Sequence, residues 1–280
     1  MNDSATARSA PRYILEGNAD TWGDRRKLIG LVRRLTFRHL AARYRGSALG
    51  FLWSMLNPLM MMLVYTVVFQ YVLRFKTTEI PYPAFFLTGI LAWNFIHVAS
   101  MNAAVSIIDS QPLIHQVYFP RVALPLAAVL SNAANYLVSL PILVLFNLMF
   151  GIVPGTTVLL LPLALLHLLA LALALGLIFA CVTPFFRDLI QLLELGFIAW
   201  FFATPVLYPI SFPAANLSAP AFVLYRLNPA AGTISLLRAT FLGEPVAPGT
   251  LVYSTVVTLI LLVLAVGLFR RLAPRFSSVT

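Results

Sequence analysis

The sequence predicts an all-α integral membrane protein with six transmembrane helices, and three observations lead there. Sixty per cent of the 280 residues are hydrophobic and only 10% are charged, too little polar surface to keep a chain of this length dissolved. The charged residues are bunched, leaving long charge-free intervals, each with room for the roughly 20 apolar residues a helix needs to cross a bilayer. Lysine and arginine fall unevenly around those intervals, as they do around membrane spans. Helices satisfy their own backbone in lipid. A β-barrel would show short segments of alternating hydrophobicity, and this sequence has none.

The chain opens with a tail, residues 1–47. No secretory signal peptide is expected, because the first apolar run starts only after Arg45. Asp3, Glu16, Asp20 and Asp24 argue against a transit peptide. From Arg25 to Arg45 the pattern is helical and two-faced. Leu28, Leu31, Val32, Leu35 and Leu40 gather on one side; Arg26, Lys27, Arg33, Arg34, Arg38 and Arg45 gather on the other, with Arg43 off the basic face. This is the pattern of an interface helix lying on a membrane, its basic face toward phosphates.

A membrane-spanning body, residues 48–272, follows. Span one is expected over Leu49–Leu73 and span two over Ala84–Ile108. The long interval from Arg121 to Arg187 is split by Gly151-Ile152-Val153-Pro154-Gly155 into span three, Val122–Phe150, and span four, Thr157–Phe185. Span five covers Leu189–Tyr208, and span six covers Thr250–Phe269, ending against Arg270 and Arg271. Residues 273–280 form a short final tail. Asp109-Ser110 reads as a helix start with Phe119-Pro120 as its stop, and Asp188 reads as a cap for span five. Between Tyr208 and Thr250 the connection is proline-rich yet apolar, and Ala231–Leu242 looks helical. It is expected to form short re-entrant helices covered by protein.

Charge sets orientation. With the N-terminus in the cytoplasm, fifteen of the 19 lysines and arginines fall inside: all those up to Arg45, then Arg121, Arg187, Arg270, Arg271 and Arg275. Arg74, Lys76, Arg226 and Arg238 fall outside. Both termini are therefore expected in the cytoplasm. The net charge of +10 is then membrane topology rather than a nucleic-acid footprint.

No Walker loop is present, so the chain is not expected to bind ATP in that way. The single Cys181 excludes an internal disulfide and a cysteine zinc site, and no His-Glu metal motif occurs. Neither a catalytic set nor a metal site is expected. His97 and His167 lie within spans, where helix-to-helix hydrogen bonds are the expected role. Span interiors carry no Asp, Glu, Lys or Arg except Glu194, which is near the cytoplasmic end of span five, whereas carriers driven by protons or sodium place ionisable groups at mid-membrane. The energy should come from elsewhere. Aromatic residues in the spans, among them Tyr65, Phe69, Trp93, Phe197, Trp200, Phe201 and Tyr208, offer surfaces on which sugar rings can stack.

The run Arg43-Tyr44-Arg45-Gly46-Ser47-Ala48-Leu49-Gly50-Phe51-Leu52-Trp53-Ser54-Met55-Leu56-Asn57-Pro58-Leu59 resembles the approach to span one in the permeases of polysaccharide ABC exporters, of O-antigen and teichoic-acid type. Val117-Tyr118-Phe119-Pro120-Arg121 resembles that family's first coupling segment. Phe186-Arg187-Asp188-Leu189 with Thr204-Pro205-Val206-Leu207-Tyr208-Pro209 resembles its fifth-span region. Leu227-Asn228-Pro229, Leu237-Arg238 and Leu242-Gly243 resemble its outer gate. The family often has Lys where this chain has His115 and Gln116, and an acid in place of Val122, so no specific ion pair is carried over there.

The resemblance implies a homodimeric channel in a bacterial inner membrane, with two cytoplasmic ATPase subunits that hold ATP and Mg. The cargo would be a glycan on isoprenoid pyrophosphate. Arg43, Tyr44 and Arg45 would meet the lipid headgroup. Asp109, His115, Tyr118, Phe119, Arg121, Arg187 and Asp188 would couple to the ATPase. Spans one, two and five would line the sugar path, and Asn228, Pro229 and Arg238 would close it outside. The alternatives are a drug or small-lipid ABC exporter permease, and a membrane enzyme of lipid-glycan assembly; the latter should show clustered acids or arginines in outer loops, which are few here.

Overall fold

The structure is a computed structural model that describes residues 25–44, 52–74, 80–112, 119–186, 188–246, 248–273 and 276, with backbone alone for Arg25, Arg43, Tyr44 and 52–55. Among the described residues every regular element is helical. Helix α1 is Arg25–Tyr44, and α2 is Leu52–Thr66, prolonged by a π-helical stretch, Val67–Val72. Next come α3 (Tyr82–Asp109), α4 (Ala123–Met149), a 3₁₀ turn at Thr156–Leu160 and α5 (Leu161–Val182). Helix α6 is Leu189–Phe202, followed by the short α7 (Ser211–Asn216) and α8 (Ala219–Arg226), then α9 (Pro229–Leu242) and α10 (Pro248–Leu272).

Four helical stretches are long and apolar enough to cross a membrane: α3, α4, α5 with its 3₁₀ lead-in, and α10. The apolar helices over Leu56–Val72 and Leu189–Phe202 are shorter. Prolines mark the starts of α3, α5, α8 and α9, where a missing N–H costs nothing. Gly243 ends α9 with φ +70°, the left-handed geometry that a C-terminal glycine supplies.

Helix α3 is the axis of the bundle. It packs against α2, α4, α5, α6 and α9, and 78% of its apolar stretch is buried, against 17% for α10 at the periphery. Close approach of α5 to α3 and α4 rests on Gly176: a Cβ there would lie 2.8 Å from Ala103 Cβ and 3.2 Å from Val129 Cγ2. Two apolar clusters result. One fills the middle of the bundle and the Tyr82 end. The other, at the Arg121 end, joins Val32 and Leu35 of α1 to Ala123, Cys181, Phe269 and Phe276.

The sequence-based boundaries hold to within a few residues for spans two, three and six. Span four is helical only to Val182, with a 3₁₀ first turn. Span five is corrected more substantially: its helix stops at Phe202 and residues 203–208 are unwound. The apolar face of α1 is also corrected, because Val32 and Leu35 turn toward α4 and the bundle rather than only toward lipid. Asp109 ends α3 instead of starting a helix; Ser110 caps it and helical backbone resumes at Gln111-Pro112. Asp188 sits at the N-cap of α6, but its side chain makes no capping bond.

Replacing Gly176 by Val should overpack this junction and cost about 1–3 kcal/mol. The thermal unfolding midpoint of the detergent-solubilised protein should fall, while Gly267→Ala, with nothing within 4 Å of its Cβ position, should not lower it.

Candidate functional site

Pro205 has no N–H to continue α6 and disfavours helical backbone at the residue before it, so the chain unwinds from Ala203. Val206 and Leu207 are nevertheless buried. Buried, non-helical backbone must find partners for its carbonyls, and those from Ala203 to Leu207 have each found one. Phe202 O accepts from the Tyr208 hydroxyl at 2.9 Å. Ala203 O accepts from Asn228 Nδ2 at 3.1 Å, and Thr204 O accepts from Val206 N at 2.7 Å. Arg238 Nη1 donates to Pro205 O at 2.7 Å and Nη2 to Val206 O at 2.8 Å. Tyr82 OH donates to Leu207 O at 3.1 Å.

Asn228 does more than cap. Its Oδ1 accepts from the Ala230 amide and from Trp200 Nε1, both at 3.0 Å, while Nδ2 also reaches Thr204 Oγ1 at 3.0 Å. One side chain thus ties the end of α6 to the start of α9. Pro229 O accepts from Thr233 Oγ1 at 3.0 Å and from Ser254 Oγ of α10. Arg238 is 2% exposed, and its guanidinium lies 3.4 Å from the centroid of the Phe85 ring. Gly89 leaves space for it, since a Cβ there would stand 2.8 Å from Arg238 Nη2. Glu244 lines the same pocket of about 170 Å³; burial pushes its carboxyl above the usual value, and the Arg238 cation pulls it partly back.

The three outer-gate residues named from sequence therefore meet at one knot, although Arg238 faces inward to backbone rather than into an open path. Tyr82 and Gly89, which complete the knot with Thr204 of the fifth-span motif, carry no motif of their own. The signal for them was Thr204-Pro205 inside an apolar run: a helix stop at membrane depth demands donors from elsewhere.

A groove of about 220 Å³ opens among α2, α3 and α6. Tyr65, Trp93, Phe197 and Phe201 line it, four of the seven aromatic residues expected there. Trp93, Phe197 and Phe201 are largely buried and interlock, with Trp200 against Trp93 at 5.2 Å between ring centroids. They form a rigid floor rather than freely offered faces. Phe69 and Tyr208 lie apart: Phe69 stacks on Tyr82 at 5.9 Å, and Tyr208 serves the knot. At the groove's edge His97 Nε2 donates to Glu194 Oε2 at 3.2 Å, bridging α3 and α6. His167 Nδ1 likewise pairs with Thr233 at 2.8 Å, so both span histidines link helices.

At the Arg121 end, Asp109 shares a polar pocket of about 180 Å³ with His39 of α1. Phe119 packs beside the cluster there, and Arg121 Nη1 donates to Ala273 O at 2.6 Å. The remaining coupling residues His115, Tyr118 and Arg187 lie outside the described residues, as do Arg45 and the side chains of Arg43 and Tyr44.

The profile of ABC-2 type transporters matches residues 30–242. The chain belongs to that family. Among its relatives, the O-antigen export system permease protein RfbA of Myxococcus xanthus is 38% identical over 76% of this chain and 80% of its own length. The protein of the same name from Klebsiella pneumoniae is 30% identical over 90% of this chain and 95% of its own. The polysialic acid transport protein KpsM of Escherichia coli is 26% identical over 85% and 92%. This ABC-2 protein is thus a multi-pass membrane subunit, a permease and not an enzyme, working with a separate ATPase subunit.

Arg238→Met should leave Pro205 O and Val206 O unpaired, at about 1–3 kcal/mol each. Arg238→Lys, a point charge in place of a fork, should recover part of the loss. Thermal unfolding midpoints should rank Arg, then Lys, then Met.

Proposed function

We propose that this permease exports a polysaccharide carried on isoprenoid pyrophosphate, of O-antigen type, across a bacterial inner membrane. The observation that carries the reading is the 38% identity, over four-fifths of its length, to an O-antigen export permease; the identity to a polysialic acid transporter is lower, at 26%. In this reading α2 and α6 join α3, α4, α5 and α10 as six spans, α2 prolonged by its π-helical stretch and α6 by the unwound 203–208. Both termini face the cytoplasm, following the fifteen basic residues assigned there. Residues 1–47 form the interface tail, 48–272 the permease body and 273–280 the closing tail.

Two copies enclose the conduit, and two ATPase subunits that hold ATP and Mg dock at the Arg121 end. There Asp109, His115, Tyr118, Phe119, Arg121, Arg187 and Asp188 receive their motion. Arg43, Tyr44 and Arg45 hold the pyrophosphate through charge-assisted bonds suited to the guanidinium fork. The glycan passes the aromatic groove. At the far end α7, α8 and α9 form the re-entrant outer gate, hinged on the unwound segment that Asn228 and Arg238 grip.

The test is depletion of the chain in its own cell, followed by extraction of membrane lipids. Full-length isoprenoid-linked glycan should accumulate on the cytoplasmic face while surface polymer disappears. Accumulation of short precursors would move an assembly enzyme ahead, and no change in either would sink the polysaccharide reading.

A further inference from the structure

Glu194 is the sixth residue of α6, inside the apolar stretch that starts at Leu189, with about half of its side chain exposed, 53%, and its partner His97 is 28% exposed. His97 stands near the midpoint of α3, so the pair is far from either end of that helix. A carboxylate facing hydrocarbon is strongly disfavoured, which leaves water or protein as its neighbour. The surrounding residues are polar on one side only. Gln191, Glu194 and Ile198 follow one another along one stripe of α6 at helical spacing, and Ile198 lines the groove together with Asn94 and His97 of α3. The neighbouring stripe, Leu192 and Leu195, lies outside the groove and is exposed and apolar, as a lipid-facing surface should be.

We propose that the His97–Glu194 pair is a hydroxyl-binding station for sugar rings on the wall of the conduit. The argument rests on the export reading and deepens it. The groove has the two parts that recognition of a pyranose requires, a rigid apolar floor and planar polar groups at its rim. Glu194 gives one carboxylate oxygen to His97 Nε2, which fixes the carboxylate's orientation. Its other oxygen accepts from passing sugar hydroxyls, a charge-assisted bond. The ring of His97 is steadied in turn by Phe197, 4.7 Å away between centroids. A single such station, repeated once in each copy, grips loosely enough for a polymer to move on.

The first measurement places the face. Glu194→Cys and Leu195→Cys are made in the full chain, co-expressed with its ATPase in membranes; the parent chain, whose one cysteine is the buried Cys181, sets the blank. A negatively charged, membrane-impermeant methanethiosulfonate needs a thiolate, hence water, so Glu194→Cys should react at least ~10-fold faster than Leu195→Cys. Equal rates, or a Glu194→Cys disulfide joining two copies under copper phenanthroline, would overturn the proposal in favour of lipid or a dimer seam.

The second measurement places the chemistry. Surface polymer per copy of folded permease should fall roughly 10-fold in Glu194→Leu, and Glu194→Gln, which still accepts from a hydroxyl, should recover much of it. Normal export by both variants would end the station while leaving the conduit in place. The labelling result does not depend on the cargo, so a wrong polysaccharide assignment would appear in the depletion experiment and not here.

Discussion

Five consecutive carbonyls that no helix can satisfy, Ala203 to Leu207, constrain this structure more than any other feature. Four of them, Thr204 to Leu207, belong to buried residues, and an unpaired buried carbonyl costs more than an ordinary hydrogen bond returns. Arg238 answers two of them at once because its guanidinium presents parallel N–H groups in a fixed plane. For that it must be drawn inside the bundle, stacked on Phe85 and fitted against Gly89. Helix α9 has to follow its own arginine inward, which accounts for its being buried along nearly its whole length, though it is no longer than α6.

The shortness of α6 has the same origin. Fourteen residues rise only about 21 Å, less than the roughly 30 Å of a hydrocarbon core. The unwound segment supplies the missing length, and it supplies freedom that a helix lacks. Its carbonyls are held by side chains from α3 and α9 and by Asn228 between helices, so a shift of α9 relative to α6 can be taken up by re-pairing rather than by breaking a helix. A junction with discrete pairings is what a hinge requires.

Several helices were legible in the sequence because charges or helix breakers bracket them: α3 and α10 end within a few residues of the charge-free limits, and α4 runs from Arg121 to the break at Gly151–Gly155. The break in span five was not, because hydropathy registers Ala203–Tyr208 as membrane-compatible and is blind to what backbone geometry Thr204-Pro205 permits. Asn228 and Arg238 stand out through local motifs, Leu-Asn-Pro and Leu-Arg, yet Tyr82 and Gly89, which meet them at the unwound segment, lie more than a hundred residues earlier and carry no motif. The aromatic residues were legible as a group. That Trp93, Phe197 and Phe201 would pack on one another, leaving rims rather than faces, follows from three-dimensional packing alone. Glu194 was visible as the one carboxylate inside a span; its pairing with His97 was not, because no sequence pattern links positions on different helices.

The same contacts bear on where the driving force enters. A carrier powered by an ion gradient needs ionisable groups free to exchange protons or sodium along its path. Here His167 is engaged with Thr233, and His97 and Glu194 hold each other. Arg238 is clamped between backbone oxygens and an aromatic ring. Each of these groups has a structural partner, and no chain of them runs across the bundle among the described residues. The family's separate ATPase subunit is the other source of driving force. At the Arg121 end α1, α3, α4, α5, α10 and the residues Ala273 and Phe276 converge in one apolar cluster, tied by the Arg121–Ala273 bond. Helix α3, packed against both α6 and α9, connects this cluster to the knot at the other end.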